Sequence, residues 1–135
     1  MENPNESRNI ELFETYLRAL TQGDSQRILG LFAPEVVQEE MPNRLYPNGQ
    51  RRDLAALSLA ATKGAQVLSR QSYRVRHVIA KGDEVVAELE WTGELKVAFG
   101  KLAAGSSLRA QVAMFLQMKD GRIVLQRNYD CYDPL

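Results

Sequence analysis

The stretch "QRNYDCY" near the end of the chain alternates so that Gln126, Asn128 and Asp130 share one side of an extended strand with Tyr132. A carboxylate set among amides and a tyrosine can move a proton. In chemistry of that kind a carboxylate serves as base and a hydroxyl donates to the oxygen on which charge develops. Two more groups of this kind stand upstream. Tyr16 lies beside an apolar helical stripe, and Glu39 and Glu40 close a short β-prone run before Pro42. Each also has a plain structural reading: a packed tyrosine with a wet hydroxyl, solvent-facing glutamates, strand-end Asn and Asp forming a turn. Asp133, followed by Pro134, reads as terminus.

Other chemistries lack their residues. His77 is the single histidine and Cys131 the single cysteine, so no metal-ligand spacing exists and no metal is expected. There is no GxGxxG, no GxxxxGK and no G-x-S-x-G. His77 alternates onto an apolar strand face, as an inward hydrogen-bonded residue would. Lysine plus arginine and aspartate plus glutamate number 17 each, which leaves no net field for nucleic acid or an anionic membrane. A lone cysteine points to a reducing compartment, and the cytoplasm is the expected location. "MENPNESRN" has neither the basic nor the apolar region of a secretory signal, and no apolar run approaches the ~18 residues of a membrane span. With 135 residues, 44% of them hydrophobic, a single domain over 1–135 is expected, with 1–8 as a loose lead-in.

The elements that must position these groups follow from periodicity. Ile10, Phe13, Leu17 and Leu20 form the stripe of an amphipathic helix that ends at Gly23. Asp24 caps a second helix, "SQRILGLF", which stops before Pro34. "EVVQEEMP" predicts a short strand, "NRLYPNGQRR" a turn-rich loop, and "DLAALSLAATKG" a third helix ending at Gly64. From Ser72 the period becomes two. "YRVRHVIA" turns at Lys81–Asp83 into "EVVAELEWTG", and "LRAQVAMFLQM" turns at Lys119–Gly121 into "RIVLQRNYDCY". Alternation puts Tyr73, Val75, His77 and Ile79 on one side, opposite Arg74 and Arg76. It likewise puts Val85, Ala87, Leu89 and Trp91 opposite Glu88 and Glu90. Helices followed by a meander of antiparallel strands make this α+β, with the helices on one face of a sheet.

This order resembles the NTF2-like fold, also called the SnoaL-like or ketosteroid-isomerase-like superfamily. The resemblance runs from about Ile10 to Pro134. It is carried by "YLRALTQGDSQRILGLFAPEVV", by the hairpin "KGDEVVAELEWTG" and by the ending "DGRIVLQRNYD". It implies a cone in which a strongly bent sheet encloses an apolar pocket, built from Gln38, His77, Leu89, Trp91, Val112, Met114 and Asn128. Tyr16 matches the hydroxyl that serves the oxyanion in ketosteroid isomerases, and Glu40 falls where they keep their base; the handling of protons in that enzyme is well understood. Asp130 matches the last-strand acid of the family's polyketide cyclases. The chain departs from the isomerases in having Ala113 and Met114 where a second acid is needed. It departs from the limonene-epoxide hydrolases in having Leu89, Glu90 and Trp91 in place of Arg-x-Asp, and Asn128 in place of an aspartate.

Two functions stay open at this point. One is cofactor-free isomerisation or cyclisation of a compact hydrophobic or polyketide-like molecule, with Glu40 or Asp130 as base and Tyr16 as donor. The other is a non-catalytic ligand carrier or dimeric interaction module. The resemblance also implies a homodimer, formed through the outer sheet face carrying Arg74, Arg76, Glu88 and Glu90.

Overall fold

The computed structural model describes residues 4–134. Three helices, α1 (Pro4–Gln22), α2 (Ser25–Gly30) and α3 (Leu54–Val67), pack on an open six-stranded sheet. Its strands are β1 (Phe32–Glu40), β2 (Gln50–Arg52), β3 (Leu68–Lys81), β4 (Glu84–Leu95), β5 (Ser107–Lys119) and β6 (Arg122–Tyr132). In space they run β2-β1-β6-β5-β4-β3. β3 to β6 form the expected antiparallel meander, while β1 joins β6 in parallel, so the sheet is mixed. The α+β arrangement with helices on one face is the one the periodicity predicts.

Residues 4–8 are not a loose lead-in; α1 begins at Pro4. The cause lies in a distant turn. Glu6 Oε1 accepts from Gly82 N at 3.0 Å and Asn9 Nδ2 donates to Gly82 O at 3.3 Å, so the polar first turns dock on the β3–β4 hairpin. Residues 1–3 of that expected lead-in lie outside the described residues. The helix ends as expected. Gly23 takes φ +66, Asp24 N donates to Ala19 O and Gly23 N to Leu20 O, the paired bonds of a Schellman motif. Asp24 then accepts from Arg27 N and caps α2.

The inner face of the sheet is apolar along β4 and β5. Val85, Ala87, Leu89, Ala110, Val112, Met114, Leu116 and Met118 meet Phe13, Tyr16 and Leu17 of α1 in one core. Burial at every second residue of β5 is what period-two alternation demands of a half-covered strand. Pro34 sits inside β1 between Phe32 and Val37, where the register with β6 is irregular, and a proline costs little at such a break.

β3 departs from strict alternation. Val75 pairs with Leu89 but His77 with Glu88, so Arg76 is an extra residue and the strand carries a bulge. Beyond it the faces exchange. Val78 and Ala80 pack on the core, while His77 is exposed and Ile79 is 65% exposed. His77 therefore belongs to the outer face and not to the pocket. Arg74 and Arg76 both reach Glu90, at 3.2 and 3.4 Å, on that outer face. Gln111 and Arg74 together hold the Glu90 carboxyl below its ordinary range.

Trp91 ties this end of the sheet to α1. Its Nε1 donates to Gln71 Oε1 at 2.9 Å, and Gln71 Nε2 donates to Leu20 O at 3.0 Å. The indole lies over Gly93, where a Cβ would come within 2.5 Å of its ring. Gly93→Ala is thus expected to push the indole off Gln71. Since Trp91 is the chain's only tryptophan, a red-shifted emission with a lowered melting temperature would report it. Unchanged emission would show that the ring has another place to go.

Candidate functional site

A cavity of about 460 Å³ opens between the helices and the inner sheet face. Its size is that of a small-molecule site. Apolar wall comes from Trp91, Leu108, Ala110, Val112 and Met114, and the polar wall from β1, β2 and β6. Register builds that polar wall. Gln38 stands between Gln126 on one side and Arg52 on the other, and Glu40 stands opposite Asn128. Alternation along β6 then adds Asp130 and Tyr132 on the same face.

One amide organises the middle of the wall. Gln126, 1% exposed, accepts at Oε1 from Tyr16 Oη at 2.8 Å and from Gln38 Nε2 at 3.1 Å. Its Nε2 donates to Asn128 Oδ1 at 3.2 Å. The Tyr16 hydrogen is thereby committed, and burial pushes its hydroxyl pKa up, only partly offset by the bond to Gln126. Among the described residues the amide hydrogens of Asn128 itself have no acceptor.

Glu40 is also committed. Its Oε1 takes Arg52 Nη1 at 3.2 Å and its Oε2 takes Asn43 Nδ2 at 2.8 Å. Asn43 Oδ1 in turn accepts from the backbone of Leu45 and Tyr46, which folds the β1–β2 loop onto the ion pair. Gly49 closes that loop at φ +70, with a Cβ position only 2.6 Å from Glu40 O. Arg52 gives a second bond from Nη1 to Gln38 Oε1 at 3.0 Å, and its Cζ lies 5.4 Å from the Tyr46 ring centroid. A paired, hydrogen-bonded charge of this kind tolerates burial that a lone one does not.

Asp130 differs from Glu40. Its Oδ1 is buried with no hydrogen-bond partner among the described residues. Burial, then the negative charge of Glu40, raise its carboxyl from 3.8 to about 6, while the neighbouring Tyr132 hydroxyl and the Arg52 cation pull the other way. Burial and the charges of Asp130 and Glu40 raise the Tyr132 hydroxyl as well. Tyr132 meets Trp91 edge-on at 6.1 Å, which closes the aromatic side of the cavity.

Tyr16, Gln38, Glu40, Trp91, Val112, Met114, Asn128 and Asp130 all line the cavity. Two expected members do not. Leu89, at 0% exposure, is buried in the core beside it, and His77 lies on the far side of the sheet. Arg52, Tyr46 and Tyr73 line the site without having been singled out from the sequence. The one local signal for Arg52 is "GQRR" after a turn, which would serve as well for a solvated loop. Among the described residues, no three His, Cys, Asp or Glu side chains converge as a bound metal ion would need. No helix there is long and apolar enough to cross a membrane.

The match to known proteins agrees with this architecture. The SnoaL-like domain model matches residues 13–126, and the chain belongs to that family. The sequence matches no curated protein. Among solved structures, it is similar to an LEH-like epoxide hydrolase of M. tuberculosis, with TM-score 0.75 and 18% identity over 96% of this chain and 86% of that one. It is similar to a candidate polyketide cyclase from Xanthomonas campestris pv. campestris, with TM-score 0.73 and 20% identity over 96% and 93%. It is also similar to a protein of ketosteroid isomerase-like fold from Catenulispora acidiphila, with TM-score 0.71 and 16% identity over 88% and 84%. At such identities the likeness is one of fold, and the site must be argued from its own residues.

The raised Asp130 pKa has a stability consequence with a definite sign. Below the ordinary carboxylate value both folded and unfolded chains hold the proton. As pH rises from 3.8 through about 6 the unfolded chain releases it first, and folding loses free energy. Asp130→Asn should therefore stabilise the protein at pH 7 by on the order of 3 kcal/mol, and by almost nothing near pH 3. Urea denaturation of both proteins across this range checks it. A variant less stable than wild type at pH 7 would show that the carboxylate's bonds outweigh the cost of burying it.

Proposed function

We propose that this SnoaL-like domain is a cofactor-free acid–base enzyme, an isomerase or cyclase acting on a compact hydrophobic, polyketide-like molecule, with Asp130 as its base. The observation that carries the reading is the Asp130 carboxylate. It lines an apolar cavity with one buried oxygen unpartnered, and its pKa of about 6 keeps it ionised yet basic near neutral pH. Candidate polyketide cyclases among the fold's relatives support the substrate class by analogy. Asn128 and Tyr132 flank the base, and Trp91, Val112 and Met114 hold the apolar body of the substrate. Glu40, with both oxygens engaged, holds Arg52 in place instead of taking a proton.

The same commitments favour a second reading. Tyr16 and Glu40, the pair expected to do chemistry, are each satisfied internally, as they would be in a carrier that binds without turnover. Native mass spectrometry after incubation with a metabolite extract would supply the retained compound. Its carbon-bound hydrogens are then followed by NMR in D2O. The enzyme reading expects exchange that rises with pH through about 6. Asp130→Asn should slow it by about 100-fold or more, the usual scale of a general base. Retention without exchange would establish the carrier instead.

We also propose a homodimer in the cytoplasm, joined through the outer sheet face. Phe115, 36% exposed, and Tyr129, 44% exposed, stack edge-on there with Arg127 over the Phe115 ring, and Ile79 lies in the same row two strands away, across Val86. Gel filtration with light scattering should give twice the chain mass, reduced to one by Phe115→Glu. A monomeric wild type would end this part of the reading.

A further inference from the structure

We infer that Arg52 is the oxyanion donor of this site, and that the pocket therefore takes a neutral compound with an enolisable carbonyl and not a preformed carboxylate. The inference rests on the acid–base reading above and adds the electrophilic group and the substrate class.

The guanidinium is fixed on several sides before any ligand arrives. Nη1 spends its hydrogens on Gln38 Oε1 and Glu40 Oε1, and the Tyr46 ring lies 5.4 Å from Cζ. Glu40 is itself pinned by Asn43 Nδ2, so the acceptor cannot swing away without opening the β1–β2 loop. Both Arg52 hydrogen bonds use Nη1. The hydrogens on Nη2 and Nε have no acceptor among the described residues, and Arg52 lines the cavity with its side chain 14% exposed. These hydrogens are what a ligand oxygen would meet. Preorganised donors of this sort, which need not reorient when charge develops, give large transition-state stabilisation.

Tyr16 is the rival donor, and its geometry disfavours it. Its Oη donates to Gln126 Oε1 at 2.8 Å, and Gln126 is 1% exposed. Turning toward a ligand would weaken the satisfaction of a buried amide oxygen.

Charge bookkeeping gives the substrate class. Ionised Asp130 takes a proton from the carbon beside the carbonyl onto Oδ1. The C–H electron pair becomes a C=C bond, and the carbonyl π pair moves to oxygen. Negative charge passes from Asp130 to an oxygen held by Arg52, and the total in the pocket is unchanged. Return of the proton to another carbon completes an isomerisation; attack of the enolate carbon on a second carbonyl completes a cyclisation, the new alkoxide taking the proton back from Asp130. Neither consumes an oxidant or a cofactor. A carboxylate ligand would instead add a second uncompensated charge, because Glu40 already neutralises Arg52.

The test uses 4-nitrophenolate as a planar oxyanion probe, titrated at pH 8 and followed by its absorbance. Asp130→Asn, whose amide stands in for the protonated acid, should bind it. Adding Glu40→Gln and Arg52→Gln replaces the ion pair by a neutral pair of similar volume and should weaken binding about 10- to 100-fold, the scale of a charge-assisted hydrogen bond. Should that triple variant fail to fold by circular dichroism, Asp130→Asn with Arg52→Lys reads the same dependence through loss of the fork. Adding Tyr16→Phe to Asp130→Asn should cost less than either. Wild type should hold acetophenone at least ten-fold tighter than benzoate. Phenolate affinity indifferent to Arg52, a larger loss from Tyr16→Phe, no phenolate bound by Asp130→Asn at millimolar concentration, or benzoate held as tightly as acetophenone would each overturn the assignment. Failure of the base reading looks different: phenolate would bind wild type and Asp130→Asn equally while the dependence on Arg52 persists.

Discussion

Gln126 Oε1 sits at the meeting point of three elements and takes hydrogen bonds from α1 through Tyr16 and from β1 through Gln38. A buried amide oxygen left without partners would cost more than the bonds themselves contribute, so these elements are held to one arrangement. The consequences run outward. Tyr16 is consumed as a brace, Gln38 is turned so that its own oxygen faces Arg52, and Asn128 is oriented through Gln126 Nε2. What is left over among the described residues is the unpartnered Oδ1 of Asp130, on the wall of the cavity.

The sheet divides its labour by strand. β4 and β5 present close-packed apolar side chains to α1, and their burial carries the stability. β1, β2 and β6 present amides, carboxylates and a guanidinium to the cavity. The parallel junction of β1 with β6 brings Glu40 opposite Asn128, and the short β2 adds Arg52 opposite Gln38. Two carboxylates then share a small apolar space with one cation. Burial first, and then the negative charge of Glu40, hold the Asp130 proton more tightly, and the Arg52 cation, bonded to Glu40, offsets this only in part.

Much of this could be read from local pattern. The stripe Phe13, Leu17 and Leu20, the Gly23–Asp24 junction and the hairpins at Lys81–Asp83 and Lys119–Gly121 are short-range signals, and those junctions form where they fall. The element bounds differ: α1 begins earlier, at Pro4, α2 ends at Gly30 with Phe32 and Pro34 already in β1, and β3 starts at Leu68. Alternation along β6 put Gln126, Asn128 and Asp130 on one face, and they do share the cavity wall. The same rule misplaced His77, because one extra residue at Arg76 exchanges the faces of β3 and nothing in "RVRH" announces it. It also placed Leu89 on the correct face without showing that the core, and not the cavity, would claim it.

Residue type and spacing by themselves determined the α+β class, the inward face of β5 and β6, and the presence of a carboxylate beside amides and a tyrosine. These depend on neighbours within a few positions. The tertiary structure alone decided which carboxylate keeps an unpartnered oxygen. Glu40 and Asp130 are both carboxylates in the sequence, with nothing local to tell them apart. They differ because a three-residue strand after a loop brings Arg52 back to one of them, and the folded loop brings Asn43 to the same one. Pairing across such a distance depends on where the chain returns, which composition and period do not encode.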